Sequence, residues 1–183
     1  QKLNISAEYI LEETGRNTAV AVFFSALISD PDDVLCIMPS DHWISDDTYY
    51  CNLVNSGIPE ACKGKWVTFG IKPTKPATGY GYIKTINSKN NEITQVKEFK
   101  EKPNKKRAQI FLNSKNYLWN SGIFIFSTKK IIEEYKLHQN KIYLSFKKIL
   151  TNDKPNIKEC FSNINNISFD YAILEKVKKI SVL

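Results

Sequence analysis

The chain has 183 residues, 42% hydrophobic and 25% charged, with seven Gly, seven Pro and a net charge of +7. These values fit one globular domain or a large piece of one and exclude collagen-like and low-complexity classes. No apolar run approaches the roughly 20 residues of a membrane span, so a soluble chain with no membrane partner is expected. The positive charge is nearly all Lys and is scattered along the chain, with no basic helix carrying it on one face. A nucleic-acid partner is therefore not expected. The chain opens with Gln1 and has no basic-then-apolar secretion signal, which predicts a processed start or a segment of a longer chain.

Cysteines stand at 36, 51, 62 and 160, and no pair has C-x-x-C spacing. Neither a zinc ribbon nor a thioredoxin-like site follows. In a chain this long they read as reduced thiols of a cytoplasmic protein, with Cys36 buried in an apolar run.

Asn17 and Thr18 look like caps for a helix through Ala19–Ile28, apolar nearly all round and so buried on several sides. Asp30-Pro-Asp-Asp33 is a turn. Val34–Met38 reads as a central strand covered on both faces, stopped by Pro39, with Ser40-Asp41-His42 in the loop beyond it. Ser45, Asp46 and Asp47 open a second helix that Gly57 should end. Lys65–Ile71 is another strand, so the pattern strand–helix–strand predicts a parallel α/β sheet. Gly81–Ile86, the turn Ser88–Asn91 and Glu92–Phe99 look like an antiparallel excursion. A helix after Pro103-Asn104 runs to about Leu112, and Leu118–Phe126 is a strongly apolar strand. Thr128 caps a helix through Tyr135, and another spans about Lys141–Leu150. A polar loop at Asn163–Asn166 precedes a short amphipathic helix, Ser168–Lys176, and Lys179–Leu183 begins a strand.

Ligands of open α/β sheets bind beyond the carboxyl ends of strands. Asp41 stands at such a position and could ligate Mg²⁺, or simply be a turn residue. Thr78-Gly-Tyr-Gly-Tyr82 lets backbone approach a ligand closely, or makes a bulge. Glu101-Lys102 offers a carboxylate for vicinal hydroxyls and an ammonium for a phosphate, or two solvated charges. Asn120, within Trp119-Asn-Ser-Gly122, must find buried partners or face a cleft. Asp170 is a site carboxylate or an exposed helix charge. His42 and His138 form no evident ligand pair, and neither a nucleophile elbow nor a Walker loop is present.

The order of these stretches carries more than each alone. Glu12-Glu-Thr-Gly-Arg-Asn-Thr-Ala19, Met38-Pro-Ser-Asp-His42, Phe69-Gly-Ile-Lys-Pro-Thr74, Thr78-Gly-Tyr-Gly-Tyr-Ile83, Phe99-Lys-Glu-Lys-Pro103, Trp119-Asn-Ser-Gly-Ile-Phe124 and Phe169-Asp-Tyr-Ala172 follow one another across almost the whole chain. The series resembles the bacterial mannose-1-phosphate guanylyltransferases, within the sugar-phosphate nucleotidyltransferases. The resemblance implies a Rossmann-like (GT-A-like) α/β three-layer sandwich with a mixed sheet. Residues 1–183 would form a single partial domain, incomplete on its N-terminal side. It also implies GTP and mannose 1-phosphate as substrates and Mg²⁺ as cofactor. By motif, Asp41 and Asp170 would hold the metal, and Arg16, Asn17 and Thr18 would lie near the nucleotide. Gly81, Glu101 and Asn120 would contact the sugar, and Lys102 its phosphate. The catalytic set so implied is Asp41, Lys102 and Asp170.

This sequence departs from the family pattern at Glu13, Val20 and Ala77, which stand where Pro, Pro and Glu are usual. No stretch matches the family's Gly-rich G-G-x-G-T-R-L loop, whose backbone N–H groups would wrap the triphosphate. The expectation is a chain inactive by itself, completed by a copy of itself or by a separate chain carrying that loop. A sheet missing its opening strands would expose an edge and apolar helix faces beside Val34–Met38. The alternative expectation is a non-catalytic remnant that oligomerises or binds sugar phosphate weakly.

Overall fold

The computed structural model describes residues 7, 9–12, 14–86, 93–151, 160–161 and 164–183. The expected turn at Ser88–Asn91 and the departure at Glu13 lie outside these. Within the described residues, five α-helices, six strands and one π-helix follow in the order α1 (Thr18–Ile28), β1 (Val34–Ile37), α2 (Asp47–Cys62), β2 (Trp66–Ile71), β3 (Tyr82–Thr85), β4 (Thr94–Lys100), α3 (Lys105–Ser114), β5 (Tyr117–Ser127), α4 (Thr128–His138), α5 (Asn140–Thr151), the π-helix Asp170–Leu174 and β6 (Ile180–Val182). The strands form one mixed sheet in the order β1-β5-β2-β6-β4-β3, with β3 also pairing with β5.

Alternation along β2 divides the core between two faces. Trp66 points to a large aromatic core with Phe23, Phe126, Phe146 and Phe169, roofed by α1, α4 and α5. Val67 and Phe69 point to a smaller core beneath α2. Helices on both faces of a mixed sheet make the expected three-layer α/β sandwich.

Several local expectations are corrected. β1 lies at the sheet edge among the described residues, because β5 inserts antiparallel between β1 and β2. Both its faces are only partly covered, Val34 against the core beneath α2 and Leu35 and Ile37 against the aromatic core, and Cys36 is exposed, with Sγ 3.6 Å from the Tyr50 hydroxyl. β1 and β2 do run parallel, but the parallel pair in direct contact is β2–β6. Helix α1 is buried along Ala19, Val20, Val22, Phe23 and Ala26, yet Ala21 and Ile28 are exposed. Helix α2 does not end at Gly57. That glycine is buried, and a Cβ there would lie 2.9 Å from Ile125 Cδ1 and 3.2 Å from Val67 Cγ1. It permits close helix–sheet approach, and the helix runs on through Pro59. Ser127, not Thr128, caps α4, its hydroxyl accepting from Lys130 N. The expected amphipathic helix at Ser168–Lys176 is instead built around a five-residue π-helix.

Candidate functional site

A bulge in β5 organises the site. Thr68 pairs with Phe124 and Gly70 with Asn120, so Ser121, Gly122 and Ile123 stand opposite Phe69 alone. Gly122 has φ +76°, a conformation that costs glycine little. Ser121 Oγ accepts from Ile123 N at 3.2 Å, closing the bulge on itself. Pro39, at the exit of β1, packs over it, since a Cβ on Gly122 would meet Pro39 Cγ at 3.3 Å.

The bulge points Asn120 towards the π-helix. Its Nδ2 donates to Asp170 Oδ1 at 3.1 Å, and its Oδ1 accepts from Thr68 Oγ1 at 2.9 Å. Asn120 N donates to Gly81 O at 2.8 Å, tying the T-G-Y-G loop to β5. Tyr82 Oη holds the start of that loop through Ala77 O, and Tyr80 sets its ring edge-on to Trp119.

Gly81 leaves the space in which Glu101 sits: a Cβ there would fall 2.6 Å from Glu101 Oε2. The Glu101 side chain is 5% exposed, and Lys102 Nζ stands 3.2 Å from its Oε1. Its Oε2 has no hydrogen-bond partner. Lys102 adopts φ +41°, so its half-exposed side chain turns back to the carboxylate that precedes it. Glu101 N donates to Glu175 Oε1 at 3.3 Å. This contact links the E-K turn to the end of the π-helix that carries Asp170.

Burial, then the nearby Asp170 carboxylate, raises the Glu101 pKa above its ordinary 4.5, and the Lys102 hydrogen bond opposes the shift. Burial is also the main reason the Asp170 carboxyl is raised, with Glu175 adding and Lys102 opposing. Between 4.5 and its folded value, Glu101 binds more proton folded than unfolded. Stability therefore falls as pH rises through that window. Thermal melts should show Glu101→Gln with a flatter Tm slope from pH 4.5 upward than the parent chain. Parallel slopes would remove this assignment.

The remaining predicted residues divide. Arg16 Nε donates to Phe161 O at 3.0 Å, and Thr18 Oγ1 accepts from Phe169 N at 2.8 Å, one residue before Asp170. Asn17 caps α1 with φ +64°, its side chain accepting from Thr18 N. Thus G-R-N-T braces the segment that presents Asp170. Asp41 is exposed beyond β1 and makes no hydrogen bond or ion pair among the described residues. The structure therefore gathers Gly81, Glu101, Lys102, Asn120 and Asp170, sets Arg16, Asn17 and Thr18 behind them, and leaves Asp41 apart on the β1 loop next to the bulge.

Sequence reading missed Thr68 and Glu175. Thr68 shares the face of Trp66 by strand alternation and is a polar residue in an apolar strand, which was the available signal. Glu175 lies five residues after Asp170, a spacing that shares a face only in a π-helix.

Asp41, with its acceptors free, and Asp170, with one oxygen on Asn120, are each hard carboxylates of the kind that a cation such as Mg²⁺ takes alongside substrate phosphates. Among the described residues no group of three or more His, Cys, Asp or Glu is placed to hold a metal. A cavity of about 440 Å³ opens on the α2 side, lined by Trp43, Tyr49, Phe69, Ile71, Ser121 and Leu183 among others. It contains none of the predicted residues, and its walls are mainly apolar, with Asp46 and Lys72 among them. Among the described residues, no helix is long and apolar enough to cross a membrane.

Comparison with known proteins gives a consistent result. The model of the family described as nucleotidyl transferase matches residues 1–164. A mannose-1-phosphate guanylyltransferase of Escherichia coli is 38% identical over 92% of this chain and 40% of its own length. A solved Thermus thermophilus structure, described as a mannose-1-phosphate geranyltransferase, superposes with TM-score 0.86 at 28% identity, over 95% of this chain and 51% of that one. A Helicobacter pylori structure described as mannose-6-phosphate isomerase gives TM-score 0.84 at 33% identity, over 94% of this chain and 70% of that one. The chain spans about two fifths of the length of the curated relatives it matches. With the family model covering most of its residues and the Rossmann-like sheet holding the motif residues together, this chain belongs to the nucleotidyl transferase family.

Proposed function

We propose that this chain is the sugar-phosphate-binding part of a mannose-1-phosphate guanylyltransferase. The observation that carries the reading is the convergence of Gly81, Glu101, Lys102, Asn120 and Asp170 on one end of the sheet. An oxygen of the mannose 1-phosphate attacks the α-phosphorus of GTP in line; the P–O bond to the β-phosphate breaks, and GDP-mannose and pyrophosphate form. Catalysis of this kind is mainly positioning and charge neutralisation.

Glu101 accepts from sugar hydroxyls, its carboxylate having hydrogen-bonding capacity that no protein group takes up. Lys102 pairs its ammonium with the sugar phosphate, releasing Glu101 from its present contact. Asn120 orients the sugar, and Gly81 keeps the backbone close to it. Arg16, Asn17 and Thr18 lie on the nucleotide side. Asp41 and Asp170 would hold Mg²⁺, which when bound would offset negative charge on the phosphates.

The relatives at about 38% identity support the substrate pair, and a cytoplasmic compartment is part of the same proposal. We infer that turnover needs a Gly-rich phosphate loop of the family's kind, which residues 1–183 do not themselves supply. Mixing the protein with GTP, mannose 1-phosphate and Mg²⁺ and measuring pyrophosphate tests this. Turnover by residues 1–183 alone would remove that loop from the reading. Binding of neither substrate would favour a non-catalytic remnant. Asp41→Ala should weaken Mg²⁺-dependent GTP binding at least about tenfold, or about 1.4 kcal/mol. Unchanged affinity in a calorimetric titration would take the metal role from Asp41.

A further inference from the structure

We propose that Thr68 is a positioning residue that fixes which way the Asn120 carboxamide points. Thr68 is 1% exposed on β2, and its hydroxyl stands 2.9 Å from Asn120 Oδ1 and 3.0 Å from Ile123 O. Gly122 N adds a long contact of 3.4 Å to the same Oδ1. The hydroxyl has a single proton for these two acceptors; directed at Asn120, it makes the Oδ1 end the acceptor end, and Nδ2 is left facing Asp170. In the reversed orientation Oδ1 would face the Asp170 carboxylate and Nδ2 would face the Gly122 N–H, so acceptor meets acceptor and donor meets donor.

The device is built from the bulge. Without the extra residues opposite Phe69, Ile123 O and Asn120 Oδ1 would not both lie within reach of one side chain on β2. Removing the hydroxyl leaves a half-buried amide oxygen with the Gly122 contact alone, and the preference between the two orientations weakens. In the proposed function, on which this consequence rests, Asn120 meets the sugar, so Thr68 sets affinity without touching the ligand.

Two variants separate hydroxyl from shape. Thr68→Val keeps the side-chain volume and loses the hydroxyl, while Thr68→Ser keeps the hydroxyl. The first readout needs no ligand: hydrogen exchange of the Asn120 side-chain amide by NMR, assigned by its absence in Asn120→Ala. In the parent chain and in Thr68→Ser, the Nδ2 protons should exchange at least about tenfold more slowly than those of exposed Asn side chains. In Thr68→Val that protection should be lost while the backbone spectrum stays folded. Retained protection in Thr68→Val, or loss in Thr68→Ser alone, would overturn the proposal in favour of packing. If Thr68→Val does not fold, Thr68→Ala is read by the same criterion.

The second readout is calorimetric affinity for mannose 1-phosphate. Thr68→Val should weaken it about tenfold, Thr68→Ser less than about threefold, and Thr68→Val should add nothing in an Asn120→Ala background. Full affinity in Thr68→Val overturns the proposal. If the parent chain binds no mannose 1-phosphate, the proposed function fails, and the exchange measurement still decides the role of Thr68.

Discussion

Gly81→Ala is expected to weaken mannose 1-phosphate binding about 100-fold or more, or about 2.7 kcal/mol. The added Cβ would lie 2.6 Å from Glu101 Oε2, 3.1 Å from Phe99 Cζ and 3.3 Å from Asn120 Cβ. A carboxylate at the end of a long side chain can ordinarily move aside. Glu101 is confined, however: its side chain is 5% exposed, its backbone N–H is held by Glu175, and its outer oxygen faces Lys102. The same methyl group presses on Asn120, so neither sugar-facing group can retreat without displacing the other. Overpacking should cost about 1–3 kcal/mol of stability, small beside the loss of binding site. Gly79→Ala in the same loop is the control, because a Cβ there meets nothing within 4 Å. Isothermal titration of both variants decides the matter, and Gly81→Ala binding within threefold of Gly79→Ala would sink the proposed sugar site.

The second large effect is on folding. Phe169→Ala should cost about 3–5 kcal/mol, typical of deleting a buried aromatic ring, and lower Tm by roughly 6–20 °C. Phe169 is 2% exposed, and its ring centre lies 5.8, 5.3 and 6.0 Å from those of Trp66, Phe124 and Phe126. It also joins core to site: its N–H is held by Thr18, and the next residue is Asp170. The cavity should therefore loosen Asp170 as well as the core. Thermal and urea denaturation measure the first consequence, and a loss of less than about 1 kcal/mol would show that the segment repacks.

What could be read beforehand follows from periodicity and punctuation. Helix starts were legible because Asn17, Asp46 and Asn104 place a side-chain acceptor just before the first turn, and each caps its helix. Strands β2 and β5 announced themselves as apolar runs. The place of β1 was not legible: Val34–Met38 is as apolar as a central strand, yet strand order depends on β5 arriving from 80 residues later to pair with it. Gly57 misled for a related reason, since glycine both ends helices and lets them approach sheets, and the neighbour that decides, Ile125, is distant in sequence.

The candidate site was legible as motif order, not as chemistry. Glu101-Lys102 looks like any solvated pair until Gly81 is seen to make room for it. The supports were faint: Thr68 shows only as a polar residue in an apolar strand, and Glu175 acts through a backbone N–H that no spacing rule reaches. Asp41 stood out by position, and position is still what recommends it.

The widened turn at Asp170–Leu174 has an evolutionary cost. Residues five apart in an ordinary α-helix point about 140° away from one another, whereas here Asp170 meets Asn120 while Glu175 meets the Glu101 amide. A lineage that lost a single codon in this stretch would keep a helix and a core, yet could satisfy one of those two acidic side chains or the other, never both. Insertions and deletions should therefore be purged here far more strictly than substitutions, and sequencing a library of one-residue deletions after selection for function would reveal that intolerance.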